Sequence, residues 1–205
     1  MMTPPDLFYE KKLWKTYAHV VGLDEAGRGA LAGPVCVGAA LLPPKPAPLL
    51  LTLNRVRDSK QLSPRQRDAL APQIQRAAQA CAVGFASAAE IDALGIVPAT
   101  RLAALRALEA LAIFPDYLLT DFRLELPELD VSQTALVKGD QRSLSIASAS
   151  ILAKTARDAL MMALDAQYPS YGFAKHKGYG TLAHRRAIAR WGYSDLHRKT
   201  FRLKA

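Results

Sequence analysis

The sequence predicts an α/β protein, in which a mixed sheet is covered by helices on both faces. Three antiparallel-type strands come first, and the later strands alternate with segments of helical periodicity. The chain has 205 residues, of which 50% are hydrophobic, and this is enough for one full core. Its last third is mostly helix and loop, and we expect that part to form a small lobe over the strand ends.

Five apolar segments bounded by turn residues are predicted to be strands. The glycine-containing loop after the first strand would join it to the second as an antiparallel pair. The fourth strand ends in a carboxylate, as the first does. The predicted strands span residues 17–24, 33–42, 81–87, 117–121 and 134–138.

Helices are predicted where apolar residues recur at helical spacing. Ser63 is a suitable N-cap, with Pro64 at the first helical position. Alanine and serine cover much of the longest helix and would allow it to pack closely against a sheet. The predicted helices span residues 64–80, 88–94, 98–112, 143–167 and 181–191. Residues 4–16 are predicted to be an extension or short helix, residues 43–48 a proline-rich loop and residues 168–180 a loop.

The formal net charge is +9 and the pI is about 9.7, which favours a polyanionic partner over a basic surface without one. Cations and aromatic rings are mixed in the last third, and that mixture suits nucleic acid. The cations are Lys175, Lys177, Arg185, Arg186, Arg190, Arg198, Lys199, Arg202 and Lys204. The rings are Tyr171, Phe173, Tyr179, Trp191, Tyr193 and Phe201.

Nothing in the sequence predicts a membrane span or an exported protein. No apolar run approaches the ~20 residues that cross a bilayer, and residues 1–15 are polar and charged. Cys36 and Cys81 lie in apolar surroundings, which predicts core positions rather than a disulfide or thiolate metal site. We therefore expect a cytoplasmic protein that does not bind membranes.

Four carboxylates at or just after strand ends are the candidates for chemistry: Asp24, Glu25, Asp121 and Asp140. Carboxylates crowded at one rim of a sheet repel one another, and divalent cations remove that cost. Oxygen ligands with few histidines nearby favour Mg²⁺ or Mn²⁺, and two such ions can drive phosphodiester cleavage. The alternative for each residue is a turn or cap, above all for Asp140 in a Lys-Gly-Asp turn.

A glycine-rich loop follows the first carboxylate pair. Gly27 and Gly29 would allow positive φ and a close approach of ligand to backbone, and Arg28 would suit a phosphate. Ser59 and Lys60 precede a helix, where a phosphate site or simple capping is expected. His184 is expected on a helix surface.

Nine motifs in order make the whole chain resemble bacterial ribonuclease HII, the type 2 ribonuclease H. They are DEAGRG at 24–29, GPV at 33–35, DSKQLS at 58–63, EID at 90–92, ATRLA at 99–103, TD at 120–121, KGD at 138–140, SIASASILAKTARD at 145–158 and YGFAKHKGYGT at 171–181. The resemblance covers roughly residues 17–201. It implies a ribonuclease H-like fold, with cleavage of RNA paired with DNA and incision at a single ribonucleotide in duplex DNA, leaving 3′-hydroxyl and 5′-phosphate ends.

The resemblance also assigns roles to residues. It implies that Asp24, Glu25, Asp121 and Asp140 bind two Mg²⁺ or Mn²⁺ ions and are catalytic. The family's element that meets the backbone and 2′-hydroxyl of the ribonucleotide falls on Gly27, Arg28 and Gly29, and its junction-sensing tyrosine falls on Tyr179. Phosphate contacts are expected from Ser59, Lys60 and Lys177. For Tyr179 the alternative is an aromatic residue packed on the lobe.

We expect the chain to be organised into three parts. Residues 1–16 are an N-terminal extension, 17–167 a catalytic domain and 168–205 a substrate-binding lobe. We expect a monomer that acts on RNA/DNA hybrids and ribonucleotide-containing DNA. Gly95 stands where the family usually has asparagine, so a side-chain contact there is lost or replaced.

Two other functions remain open on the sequence. A different two-metal nuclease on the same fold, such as a junction resolvase, would share the acidic strand ends but has no reason for the glycine-arginine-glycine element. A non-catalytic hybrid-binding protein would not need four carboxylates that repel its ligand.

Overall fold

The computed structural model describes residues 4–122 and 124–203, and it contains a mixed five-stranded sheet with the order β3-β2-β1-β4-β5. Strand β1 pairs antiparallel with β2, which pairs antiparallel with β3, while β1, β4 and β5 run parallel. This confirms the predicted mixed sheet. The strands are β1 (Val20–Ala26), β2 (Val35–Leu41), β3 (Ala80–Ala86), β4 (Tyr117–Asp121) and β5 (Ser132–Leu136).

Eight helices are found in the described part of the chain. They are α1 (Phe8–Leu13), α2 (Pro46–Thr52), α3 (Pro64–Ala77), α4 (Ala88–Leu94), α5 (Ile96–Leu111), α6 (Leu144–Asp165), α7 (Phe173–His176) and α8 (Leu182–Trp191). Ser63 caps α3 as predicted, with its side chain accepting from the backbone of Gln66. Within the described ranges, no helix is both long enough and apolar enough to cross a membrane.

The sheet is covered on both faces. Helix α5 packs against β2 and β3, while α6 packs against β1 and β2 from the other side. Helix α6 can approach closely because Gly38 has no side chain: a Cβ there would lie 2.2 Å from the carbonyl oxygen of Ala149. Gly22 on β1 acts in the same way, since a Cβ there would lie 2.4 Å from the backbone carbon of Ser145, and the first turn of α6 therefore lies directly over the strand that carries the acidic pair.

The parallel register decides where the acidic side chains fall. Leu23 pairs with Thr120, so Asp24 and Asp121 each follow at the next position of neighbouring strands. Carboxyl ends of parallel strands meet at one edge of a sheet, where α/β proteins build their sites.

The N-terminal segment is tied into this arrangement through Glu10, which is buried. Its Oε1 accepts hydrogen bonds from the hydroxyl of Ser143 at 2.6 Å and from the backbone N–H of Ser145 at 2.9 Å. Helix α1 thus holds the N-terminus of α6, which begins four residues after Asp140.

Two segments predicted as loops contain helices. Helix α2 begins at Pro46 inside the proline-rich segment, because proline is tolerated in a first helical turn and Leu49 buries its side chain in the core. Helix α7 lies inside 168–180, where Phe173 is fully buried. Of the predicted parts, residues 1–3, the residue at 123, and residues 204–205 with Lys204 lie outside the described residues.

Candidate active site

The structure brings the four predicted carboxylates to one end of the sheet. Asp24 lies near the end of β1, Asp121 ends β4, and Asp140 lies in a short 3₁₀ helix after β5. Asp24 and Asp140 are each only 4% exposed. Asp121 accepts a hydrogen bond from the backbone N–H of Gly139 at 2.7 Å, and this bond ties the end of β4 to the loop that carries Asp140.

These carboxylates act on one another's charge. Burial raises the pKa of Asp24 well above its usual range, and Glu25, Asp121 and Asp140 raise it further. Burial, Asp58 and Asp121 raise the pKa of Asp140 to about 7. Burial also raises the pKa of Glu25, and the cation of Arg28 offsets this only in part. The site therefore holds more negative charge than its surroundings neutralise.

The donor set fits divalent cations. Oε2 of Glu25 is buried and has no hydrogen-bond partner. Burying a carboxylate oxygen without a partner costs folding free energy, and a bound cation would remove that cost. Hard oxygen donors of this kind are the ligands that Mg²⁺ and Mn²⁺ prefer. Among residues 4–122 and 124–203, no three acidic, histidine or cysteine side chains are already grouped closely enough to hold one ion.

Ser59 and Lys60 lie beside this cluster. They form a separate 3₁₀ helix, Ser59–Gln61, and do not cap α3. Ser59 is buried and accepts a hydrogen bond from the hydroxyl of Ser150 on α6 at 2.9 Å. Burial lowers the pKa of Lys60, but Asp24 and the neighbouring carboxylates outweigh burial and raise it overall. Lys60 is thus a cation held next to the acidic end of the sheet.

The glycine loop next to the carboxylates is only partly as predicted. Gly27 has φ +87°, and a Cβ there would lie 1.9 Å from Nε of Arg157, so no side chain fits. Gly29 does not adopt positive φ, which corrects the expectation for it, and a Cβ there would meet nothing within 4 Å. Arg28 pairs with Glu25 at 3.6 Å between Nη1 and Oε1.

Two buried arginines hold this loop, and the sequence did not single them out. Arg198 donates to the carbonyl oxygens of Gly33, Arg28 and Gly27 at 3.0, 2.8 and 2.8 Å. Arg157 donates to those of Pro34, Lys177 and Ala32 at 2.8, 2.9 and 3.0 Å. Burial, followed by the charge of Arg157, lowers the pKa of Arg198 to about 9. Arg198 therefore does not belong to the basic surface where we placed it, and no pattern separated it from its basic neighbours.

Contacts around Tyr179 join the C-terminal part of the chain to the loop between β1 and β2. Nζ of Lys154 and Cζ of Arg157 lie 5.1 and 5.3 Å from the centre of its ring. The preceding residue, Gly178, accepts a hydrogen bond from the backbone N–H of Leu31 at 2.8 Å. Residues 177–179 are called the tyrosine segment, and the ammonium of Lys177 at its start donates to the carbonyl oxygen of Ala174.

The two cysteines, His184 and Gly95 were also given expected positions or roles. Cys36 is fully buried and Cys81 half-buried. His184 is fully buried, so its predicted place on a helix surface was wrong; it lies on the inward face of α8 and bonds to His197. Gly95 has φ +84°, which glycine adopts without strain, and a Cβ there would meet nothing within 4 Å.

Comparison with known proteins gives one family. A model of the family "Ribonuclease HII" matches residues 21–204. Ribonuclease HII of Syntrophotalea carbinolica is 51% identical over 96% of this chain and 91% of its own length. The crystal structure of ribonuclease H2 from Pyrococcus horikoshii has a TM-score of 0.72 at 25% identity, over 89% of this chain and 93% of its own. That of Bst-RNase HIII in complex with Mn²⁺ has a TM-score of 0.65 at 21% identity, over 89% and 67%.

Proposed function

Because this chain belongs to the ribonuclease HII family, whose activity is ribonuclease H cleavage of RNA/DNA hybrids, we propose that it also incises duplex DNA 5′ of a single embedded ribonucleotide. The products of incision would be a 3′-hydroxyl and a 5′-phosphate. One observation carries this proposal above all. The buried carboxylate cluster lies directly beside a glycine loop whose backbone carbonyls accept hydrogen bonds from two buried arginines.

Ribonuclease H enzymes depend on divalent metal ions, and we propose that Asp24, Glu25, Asp121 and Asp140 hold two Mg²⁺ or Mn²⁺ ions here. When bound, such ions activate a water molecule and stabilise the leaving oxygen of a phosphodiester. The carboxylates contribute by being concentrated and poorly neutralised before binding. Lys60 supplies positive charge at the same end of the sheet, and we assign it and Ser59 to the phosphate backbone.

Recognition of the ribonucleotide would come from the glycine loop. The 2′-hydroxyl is the group that distinguishes RNA from DNA, and backbone amides or carbonyls can read it only at close range. Gly29 has open space on the side where a side chain would stand, so a sugar can approach its backbone. The carbonyls of Gly27 and Arg28 already accept from Arg198, and this contact fixes the loop in place.

We assign Tyr179 to the nucleotide that follows the ribonucleotide. Its ring, stacked on that sugar, would disfavour a second 2′-hydroxyl and so favour a junction with DNA. Lys177 lies two residues away and would contact a phosphate. The side chains of Lys154, Lys175, Lys177 and Tyr179, together with Asp68 and Asp158, line an open groove of about 540 Å³, to which we assign the strand.

The remaining parts of the proposal concern assembly and place. We propose that the chain acts as a monomer, because the four carboxylates, the glycine loop and the tyrosine segment all come from one copy. Its substrates are RNA/DNA hybrids and ribonucleotide-containing duplexes, so we place its action in the cytoplasm, where bacterial DNA is found.

An incision assay tests the proposal directly. A duplex with one ribonucleotide, an all-RNA/DNA hybrid and an all-DNA four-way junction are each incubated with and without Mg²⁺ or Mn²⁺. We expect metal-dependent cutting of the first two and none of the third. Failure to cut the one-ribonucleotide duplex, with hybrid cleavage intact, would reduce the function to ribonuclease H activity on hybrids alone.

A further inference from the structure

Three of the four histidines of the chain lie together in the C-terminal lobe. His184 and His197 are fully buried, and the ring of His176 stacks on that of His184 with centroids 4.3 Å apart. The ring of Phe173 packs against all three. Nε2 of His184 lies 3.1 Å from Nε2 of His197, a hydrogen-bond distance that leaves no room for an ion between the rings.

Hydrogen-bond chemistry decides which nitrogens carry hydrogen. Nδ1 of His184 lies 3.0 Å from the carbonyl oxygen of Tyr179, which can only accept, so this Nδ1 donates. A neutral ring has one N–H, so Nε2 of His184 accepts and Nε2 of His197 donates. Nδ1 of His197 is then free to accept from the backbone N–H of Ser194 at 2.9 Å. The result is a directional chain from Ser194 to Tyr179 through two neutral rings.

The hydrogen-bond partners of His176 also decide which of its nitrogens carries hydrogen. Its Nδ1 accepts from the backbone N–H of Gly178 at 3.3 Å. Its Nε2 therefore carries the hydrogen, which it donates to the carbonyl oxygen of Tyr171 at 2.8 Å. The cluster thus binds the N–H of Gly178 and the carbonyl of Tyr179, while the carbonyl of Gly178 is bound by Leu31.

We propose that His176, His184 and His197 are positioning residues that hold Gly178 and Tyr179 beside the substrate-reading glycine loop, and that they do so only as neutral imidazoles. This inference rests on the proposed role of Tyr179 at the junction with DNA. The histidines themselves bind backbone and one another, so they act through the tyrosine segment rather than on the substrate.

Adding a proton would break this arrangement. A hydrogen on Nε2 of His184 would face the N–H of His197, and one on Nδ1 of His176 would face the N–H of Gly178. His176 faces three ionisable groups: Asp165 on α6, Lys177 and His184. His184 faces His176 and His197. His197 faces these two histidines and also Tyr171 and Tyr193.

Burial keeps the rings neutral. It lowers the pKa of His184 to about 4, and it also lowers those of His176 and His197. A histidine whose pKa is lower in the folded state stabilises that state above its unfolded pKa, and the stabilisation is lost as pH falls through the folded value. Acid should therefore release the tyrosine segment.

Nitrogen-15 NMR on the full-length protein tests the chain of bonds without any activity measurement. At neutral pH we expect His184 to show hydrogen on Nδ1, and His176 and His197 to show it on Nε2. His184, whose pKa burial lowers to about 4, should keep this form at about pH 5. His19, which is half-buried beside Asp116 and lies outside the cluster, serves as the internal reference for the ring-nitrogen signals. The opposite tautomer at His184, or a protonated His184 at about pH 5, would overturn the inference.

A substitution pair tests the consequence for recognition. In His184→Asn the side-chain amide can still donate to the carbonyl of Tyr179, whereas His184→Leu removes that donor. We expect His184→Leu to lower cutting at a lone ribonucleotide about tenfold more than cutting of a long hybrid, as a misplaced contact group does, with His184→Asn in between. His19→Leu is the matched control and should change neither.

Combination with Tyr179→Ala separates positioning from general damage. If His184 acts through Tyr179, the Leu substitution should add no further loss of substrate preference on that background. Equal losses on both substrates, or additive losses in the double variant, would overturn the inference. If His184→Leu does not fold, His184→Asn replaces it on both backgrounds, with the smaller loss expected of that variant. A wild type that fails to cut lone ribonucleotides would instead contradict the proposed function and leave the NMR result standing.

Discussion

Two of the regions that bury charge in this molecule treat that charge differently. At the strand ends, carboxylates lie close together, and Glu25 keeps an oxygen without a partner. Around the glycine loop, Arg157 and Arg198 each donate three hydrogen bonds to backbone carbonyls. A satisfied buried charge fixes a conformation, whereas an unsatisfied one is prepared to bind something of opposite sign.

The largest effect is expected from removing one charge of the acidic region. Asp24→Asn keeps the shape but should lower cleavage by roughly 10³-fold or more, because in the proposed mechanism Asp24 helps to hold metal ions worth several kcal/mol in the transition state. Binding of hybrid should persist, and the melting temperature should rise because one repelling charge is gone. Asp130→Asn, at an exposed position, is the matched control. Unchanged turnover in Asp24→Asn would remove this residue from the site.

The next largest effect is expected from removing Arg198, whose guanidinium donates three hydrogen bonds to backbone carbonyls. Arg198→Met keeps the apolar stem but leaves the carbonyls of Gly27, Arg28 and Gly33 without their donor. We expect a loss of about 3 kcal/mol in the free energy of unfolding, measured by urea denaturation, together with weaker cleavage. Arg202→Met, which changes an exposed arginine of the same tail, should alter stability little. Equal stability of the two variants would show that the loop does not depend on Arg198.

A smaller effect, which should differ between the two substrates, is expected from substituting Tyr179. Tyr179→Ala should depress cutting at a lone ribonucleotide about tenfold more than cutting of a long hybrid, because the hybrid offers many equivalent sites and no junction to DNA. Tyr179→Phe keeps the ring and should retain the preference. Initial rates on both substrates check this, and equal losses in Tyr179→Ala would count against the junction role.

The smallest effect is expected on the melting temperature of the metal-free protein as the pH changes. The pKa values of Asp24, Glu25 and Asp140 are raised on folding, the last to about 7. The stabilisation they give is full below their unfolded pKa and is lost as pH rises through the folded values. We expect the melting temperature without metal to fall by a few degrees between about pH 5 and pH 8. Mg²⁺ or Mn²⁺ should restore it at pH 8, and a flat profile without metal would contradict the charge repulsion.

Local pattern was enough to predict most of the fold. Strand positions agreed to within about three residues, because β-branched runs and turn residues mark them clearly. The carboxylates were also predictable, since each follows an apolar strand or a glycine turn. Helix α2 was missed because its first residues are prolines, which usually indicate a loop.

What the sequence could not show is burial of polar residues by distant partners. Arg198 contacts Gly27 across 171 residues of chain, and a basic run gives no sign of such a contact. His184 follows the same rule, because its partner His197 lies beyond the end of α8. Both depend on how the lobe folds back onto the glycine loop, and local periodicity carries no information on that.

The most direct test of the account is a count of Mn²⁺ ions at the acidic end of the sheet. Electron paramagnetic resonance would follow Mn²⁺ titrated into wild type and into Asp24→Asn/Asp140→Asn, each with an uncleavable hybrid bound. We predict two ions per chain in the wild type and a clear loss in the double variant. Equal Mn²⁺ binding by both proteins would contradict the claim that these carboxylates hold the ions.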